Sequence, residues 1–515
     1  MSLNRQIESA RAYHAGTAHS PRSVRADGHG LDWEIKPAPF KIYPDLPAVP
    51  LPRDLPALEI DTLAALAGGA GDPRPLDLDR LASLLFFSAG VTRRKTSPGG
   101  GEMYFRAAPS TGALYQTEVY VVAGDVEGLA PGVYHFCPGD FALRRLREGD
   151  FRGAMAVAAA DDAAGRVPAT LVLSGLYWRN AWKYRARAYR HLFWDSGTML
   201  ANALAAAAGL GLAARTVTGF VDREIHGLLG LDPGKEGALV LLPVGPEGAG
   251  AGPPPVVVPL QHRVVPLSSS EVEYPAVRAA HADSCLASEA EAMQWRESPE
   301  LPPRAMGAQP SCLALPAPRG TAGRGLGETI LARGSARAFS GAAISAEALS
   351  AALHHATRPS AGDAPSGLVD LYVNVHAVDG APPGAYVYRR QEHALEPLRA
   401  GDFRRDSAFL CLEQPLGGRS SATVFFLADL EGVLARFGNR GYRLANLEAG
   451  LTGGRLYLAA YAQRFGATGL TFYDDAVVAF FSPHASGKDA IFVTALGPAA
   501  TRPVAQSPFP SNPSQ

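Results

Sequence analysis

The feature that most constrains this chain is that it repeats itself. Leu146-Arg147-Glu148-Gly149-Asp150-Phe151-Arg152 returns as Leu398-Arg399-Ala400-Gly401-Asp402-Phe403-Arg404, displaced by 252 residues. Pro131-Gly132-Val133-Tyr134 returns at the same displacement as Pro383-Gly384-Ala385-Tyr386. Tyr189-Arg190, with Gly197 behind it, is matched 253 residues later by Tyr442-Arg443 with Gly450. Pro109-Ser110 is matched 256 residues later by Pro365-Ser366. Four matches in one order at nearly one displacement imply a duplicated domain. The period is far too long for a solenoid. Two related domains on one chain pack most simply as an internal imitation of a two-fold dimer. A length of 515 residues suits that number of domains, at roughly 100–200 residues each.

Around the repeat the chain divides into five parts. Residues 1–60 are irregular and mix proline with aromatics, as in Phe40-Lys41-Ile42-Tyr43-Pro44, and suggest a segment laid along a folded surface. Residues 61–244 are the first domain. Asp77 is a candidate N-cap for a helix over Leu78–Phe87. Val119–Val122, Gly132–Phe136, Ala169–Gly175 and Leu239–Val244 read as strands, Phe151–Ala160 as a helix, and Arg185–Ala208 as a long helix apolar on most faces. Residues 245–325 are rich in glycine and proline at both ends and read as a connector, with Ser270–Arg296 helical between them. Residues 326–500 are the second domain, and 501–515 read as a disordered tail.

Composition excludes some classes of function. Lys+Arg 48 against Asp+Glu 49 leaves a net charge of -1, which argues against general affinity for nucleic acid or anionic membrane. No apolar run of about 18 residues predicts a membrane span, and the polar N-terminus shows no signal-peptide core. The four cysteines, Cys137, Cys285, Cys312 and Cys411, form no Cys-x-x-Cys pair. They read as reduced thiols of a cytoplasmic protein with no zinc site.

Two stretches carry ligand chemistry. Pro109-Ser110-Thr111-Gly112 is a turn of small residues before a buried strand, and suits a flat polar ligand resting on backbone and hydroxyls. Leu331-Ala332-Arg333-Gly334-Ser335-Ala336-Arg337 offers two guanidinium forks and a hydroxyl at alternate positions. The second stretch resembles the Arg-x-Ser-x-Arg element that opens nitroreductase-fold flavoproteins. Further elements are Tyr13-His14, Trp33, Phe40-Lys41-Ile42-Tyr43, the turn continued through Ala113-Leu114-Tyr115, and Trp182-Lys183-Tyr184. Together they are similar to SagB-type dehydrogenases, FMN-dependent relatives that oxidise azolines to azoles in ribosomally made peptides.

That resemblance implies an α+β fold of two tandem nitroreductase-like domains forming an intramolecular pseudo-dimer, with FMN at the interface. It implies that Arg333, Ser335 and Arg337 meet the phosphate, ribityl chain and pyrimidine edge. Pro109, Ser110, Thr111 and Gly112 meet the ring. Gly469, Leu470 and Thr471 lie near flavin N5, and Lys488 meets the phosphate. The opposite pairing is poor. The first copy has only Gly71-Asp72-Pro73-Arg74-Pro75 where the arginine element belongs, and Pro365-Ser366 continues as Gly367-Leu368-Val369. One working FMN site and one vestigial site are therefore expected per chain.

Lys183 and Tyr184 are the catalytic candidates by the same resemblance. Aromatising an azoline requires loss of a hydride and of a proton, and a lysine whose pKa is lowered can accept the proton. Arg179, Arg185, Arg187 and Arg190 are near in sequence and are candidates for the positive field that would lower it. Tyr115, Gln116, Tyr189, His191 and Trp194 are either core or cleft residues. Three functions stand side by side: dehydrogenation of azolines in a peptide or small heterocycle, NAD(P)H-dependent reduction of nitro compounds or quinones, and a flavin-free scaffold in a biosynthetic complex. No Gly-x-Gly-x-x-Gly follows a strand, so no Rossmann nucleotide domain is expected. Further dimerisation stays open.

Overall fold

The computed structural model describes residues 3–26, 30–68, 73–96, 101–297 and 312–500. Gly71 and Asp72, part of the connector (298–311) and the proposed tail (501–515) lie outside the described residues.

Two antiparallel sheets repeat one another. The first runs in the order Ala48–Pro50, Ala142–Glu148, Gly132–Cys137, Thr117–Ala123, Ala169–Leu176, Glu236–Val244. The second runs Leu313–Ala314, Ala394–Ala400, Gly384–Arg389, Asp370–Val375, Ala422–Ala428, Asp489–Gly497, Gly466–Gly469. Five strands of the first recur in the second, in the same spatial order and displaced by 252 or 253 residues. Their central strands are buried on both faces, which is why Thr117–Ala123 and Ala422–Ala428 read as apolar runs without alternation.

The centre of the molecule is a pair of long helices, α1 (Ala188–Gly209) and α2 (Arg440–Ala462). They cross backbone to backbone. A Cβ added at Gly197 would lie 2.4 Å from the Leu447 carbonyl oxygen, and one at Gly450 would lie 2.3 Å from that of Trp194. The helix expected over Arg185–Ala208 is broken at its start. Arg185 sits at φ 51°, and a separate helix, Tyr177–Tyr184, precedes it. The break leaves Lys183 and Tyr184 at the C-terminus of that short helix.

Buried ion pairs fasten the halves by the same device twice. Arg187 and Arg190 of α1 reach Asp474 of the second domain at 3.0 and 2.6 Å. Arg440 and Arg443 of α2 reach Asp222 of the first at 2.6 and 2.8 Å. Burying a charge is costly, and pairing of this kind offsets the cost. Asp222, His281 and Cys285 lie close enough together to hold a metal ion. The two guanidiniums already occupy the Asp222 oxygens and would repel a cation.

The flanking segments are folded onto this frame. The first sixty residues contain the helix Glu8–Gly16 and the edge strand Ala48–Pro50. Lys41 is buried and donates to Tyr120 Oη at 2.7 Å and Glu236 Oε2 at 2.6 Å. The connector carries two helices, Pro275–Asp283 and Glu289–Arg296, in place of one. Ser288 starts the second by accepting from Glu291 N. Trp295 is buried, and its Nε1 donates to the Phe437 carbonyl at 3.0 Å. Among the described residues no helix is long and apolar enough to cross a membrane.

Candidate active site

A cleft of about 910 Å³ lies between the two domains. The first domain contributes the turn Pro109–Ala113, Tyr115, Lys183, Tyr184, Asp195 and a hairpin carrying Arg93 to its wall. The second contributes Arg333–Arg337, Tyr457 and Thr468–Thr471. Every residue expected to hold the flavin or act in catalysis lines this one cleft except Lys488; of the five core-or-cleft residues, Tyr115 and Trp194 line it, and Gln116, Tyr189 and His191 are buried.

The turn is held from below by Asp195, one of the residues of α1. Its carboxylate accepts from Ser110 Oγ, from Thr111 N at 2.9 Å, from Thr111 Oγ1 at 2.7 Å and from Gln116 Nε2 at 2.7 Å. Burial raises the Asp195 pKa to about 6, against the opposing pull of these hydrogen bonds. Gly112 sits at φ 64°, and a Cβ there would meet Tyr184 Oη at 2.8 Å and Lys183 Cδ at 3.4 Å. The turn glycine therefore seats the Lys183-Tyr184 pair directly.

Lys183 is half-buried and its ammonium lies 5.4 Å from the centre of the Tyr184 ring. Its pKa is lowered, first by burial and then by the charge of Arg337. The positive field thus comes from the other domain. The sequence neighbours are corrected on this point. Arg179 is paired with Glu118, and Arg187 and Arg190 are paired with Asp474. Those arginines take carboxylates inside the core, which removes their charge from the cleft. Tyr184 is raised above the ordinary phenol value by burial and then by Asp195, so it stays protonated. Its ring packs edge-on to His191 at 4.4 Å.

Across the cleft, Arg333 is buried. Its Nε and Nη2 donate to the carbonyls of Ala107 and Arg106, both at 2.8 Å. It thereby pins the second domain to the strand that leads into the turn. Ser335 Oγ lies 3.1 Å from Tyr457 Oη, which also accepts from Gly469 N at 2.6 Å. Tyr457, from α2, thus fixes the arginine element against the Gly469–Thr471 segment. Arg337 is exposed and has no hydrogen bond or ion pair among the described residues.

Lys488 is the residue the structure moves out of the site. It is buried, pairs with Asp370 and lies 5.0 Å from the centre of the Tyr372 ring. A lysine this buried takes the carboxylate within reach, Asp370, at the same end of its own sheet and two strands away. Asp195 and Tyr457 were missed from the sequence. One signal would have found Asp195: it lies 253 residues before Glu448, at the repeat spacing.

That pair shows what became of the other half. Glu448 accepts from Gly367 N at 2.8 Å and Leu368 N at 2.9 Å, just as Asp195 holds Thr111. The counterpart of the Gly469–Thr471 segment is Thr216–Thr218, 253 residues earlier. Here the chain's own backbone occupies it. Thr216 N donates to Ala361 O at 3.0 Å, and Asp363 N to Thr216 O at 3.1 Å. Asp363 also accepts from Thr218 N and Gly219 N, both at 2.8 Å. The loop after the second domain's first long helix fills the place where the first site is open.

Comparison with known proteins places both domains in one family. The Nitroreductase family model matches twice, over residues 71–246 and 330–495. Putative nitroreductase MJ1384 of Methanocaldococcus jannaschii is 33% identical over 172 residues, covering 33% of this chain and 81% of that protein. The trifolitoxin-processing protein TfxB of Rhizobium leguminosarum bv. trifolii is 29% identical over 225 residues, and the microcin B17-processing protein McbC of Escherichia coli is 29% identical over 143. The chain spans 59% and 52% of the lengths of those two, and the matches cover 41% and 27% of this chain. The crystal structure of a putative nitroreductase from Anabaena variabilis superposes with a TM-score of 0.75 at 28% identity, over 95% of this chain and 99% of that one.

Proposed function

Because the chain belongs to the nitroreductase family, with two copies of its domain in tandem, we propose that it is an FMN-dependent dehydrogenase of the SagB type that aromatises azolines in a peptide or related small heterocycle. Members of the family are oxidoreductases and generally use a flavin. The residues present suit FMN. Gly112 and Gly469 are exposed glycines on opposite walls, which let a flat ring approach the backbone. The lining carries several cations and one carboxylate, Asp195, which is already engaged. When bound, the flavin supplies an acceptor for a hydride.

The observation that carries the reading is the placement of Lys183 and Tyr184. They stand on the Gly112 turn, facing Arg337 across the cleft. Loss of a proton from an azoline carbon needs a base beside the ring, and Lys183 is the group poised for it. Burial and Arg337 favour its neutral form, and Tyr184, held protonated, orients its amine or the substrate nitrogen. Gly112, Ser110 and Thr111 position the ring, and Arg333 holds the two walls at a fixed spacing. The names of TfxB and McbC, as processing proteins of trifolitoxin and microcin B17, support a peptide substrate and partners in a biosynthetic complex. The filled counterpart at Thr216 supports one FMN per chain.

The similarity to a nitroreductase-named relative supports a second reading, reduction of nitro compounds or quinones by NAD(P)H. Substituting Lys183→Ala separates them. Loss of a positioned general base lowers turnover of an azoline peptide by about 10² to 10⁴-fold, with bound flavin and nitroarene reduction unchanged. Full azoline turnover by that variant would discard the dehydrogenase role of Lys183.

A further inference from the structure

With Lys488 outside the cleft, the anionic end of the occupant needs another cation. The hairpin Val91–Thr96 and Glu102–Arg106 forms its own two-stranded sheet at the cleft wall. Arg93 pairs in register with Phe105 and stacks on its ring at 4.6 Å. The next residue, Arg106, gives its carbonyl to Arg333 Nη2 at 2.8 Å. Two guanidiniums from different domains are thus brought to the base of one hairpin, and both line the cleft.

Among the described residues neither has a carboxylate partner. Arg333 spends Nε and Nη2 on carbonyls, and its Nη1 has no partner among the described residues. Among the described residues Arg93 has the Phe105 ring as its partner. The single lining acid, Asp195, is saturated by the Pro109–Gly112 turn, which belongs to the ring end of the cleft. Burial first, and Arg93 among the further causes, hold the Arg333 pKa below its ordinary value. Two uncompensated like charges held together in a half-enclosed site are stabilised by an anion between them.

We propose that Arg93 joins the arginine element, which the family resemblance already assigns to FMN, in gripping the phosphate, so that this hairpin adds a second cation at the phosphate end of the cleft, opposite the Gly112 turn at the ring end. This rests on the flavin reading above. The full chain, stripped of flavin, is titrated with FMN and with riboflavin, following flavin fluorescence. The unmodified protein should bind FMN much more tightly than riboflavin. Arg93→Met should weaken FMN about 10- to 100-fold, the worth of a hydrogen bond to a charged group, and leave riboflavin within twofold. Arg93→Lys should recover part of the loss. Arg223→Met, altering an exposed arginine of the same domain that is outside the cleft lining, should change neither.

Equal weakening of both flavins would make Arg93 structural, and no change for either would place the anion elsewhere. A raised KM for an acidic substrate with unchanged FMN affinity would assign the charge to substrate. Each of these overturns the inference while leaving the flavin reading intact. Failure of the unmodified protein to bind either flavin overturns the flavin reading itself.

Discussion

Gly112→Ala tests the link between the turn and the catalytic pair. At φ 64° an alanine costs about 1–2 kcal/mol, because its Cβ crowds the adjacent carbonyl. That corresponds to a drop of a few degrees in Tm for domains of this size. The added methyl also stands 2.8 Å from Tyr184 Oη, closer than a carbon can approach, and 3.2 Å from Tyr184 Cε2, a tight contact. The phenol cannot retreat freely, since His191 packs against its ring. It must shift by several tenths of an ångström, taking Lys183 with it. Misplacement by about 1 Å costs on the order of 10²-fold in rate, so azoline-dependent flavin reduction, followed by stopped-flow absorbance without oxygen, should slow by about 10-fold or more. Gly367→Ala is the control. Gly367 has φ 96°, and an added Cβ there meets only the end of Arg390 at 3.3 Å. It should lose comparable stability and keep its rate. A Gly112→Ala protein with full activity would refute the coupling of turn to base. A Gly367→Ala protein that loses as much activity would refute the specialisation of the halves.

Arg337→Gln removes the cation that helps keep Lys183 neutral; since a nearby positive charge lowers a lysine pKa, its loss raises it, and the rising limb of the pH–rate profile should move to higher pH. For Asp195 the sign is opposite to that of a paired surface carboxylate. Its folded pKa of about 6 lies above the ordinary aspartate value of 3.8, so its contribution to stability is full below about pH 4 and is lost as pH rises through 6. The stability of the natural protein relative to Asp195→Asn should therefore fall by up to about 3 kcal/mol between pH 4 and 7, read from denaturant curves at each pH; a flat difference would show that Asp195 titrates normally. Flavin released on denaturation should amount to one FMN per chain, and two would show that the filled half still binds.

The duplication, the sheet strands and both walls of the cleft were legible because each rests on a contiguous signal. The motif at 146–152 and its return mark the same strand-to-helix passage in each half. Pro109–Gly112 and Arg333–Arg337 are short enough for their residue types to state their chemistry. What failed was anything settled by partners distant in the chain. Arg179, Arg187 and Arg190 looked like neighbours of Lys183, but a buried arginine goes to its carboxylate, and Glu118 and Asp474 stand 61 and 284 or more residues away. Lys488 was placed by its late position, which says nothing of direction. Asp195 was invisible because a carboxylate in the middle of an apolar helix declares no partner until the turn folds over it.

The crossing of α1 and α2 at Gly197 and Gly450 has a kinetic consequence. When such a cleft forms between two separate chains, its existence depends on protein concentration, and dilution dissolves the binding site along with the pair. Here the walls are tethered, and their meeting is a first-order event set by the connector. The cofactor's off-rate should then be the same at nanomolar as at micromolar protein. A single chain also lets each half vary alone. A substitution at Thr216 or Asp363 is not copied into the open cleft, as it would be in a symmetric pair, so either half can change without altering the other.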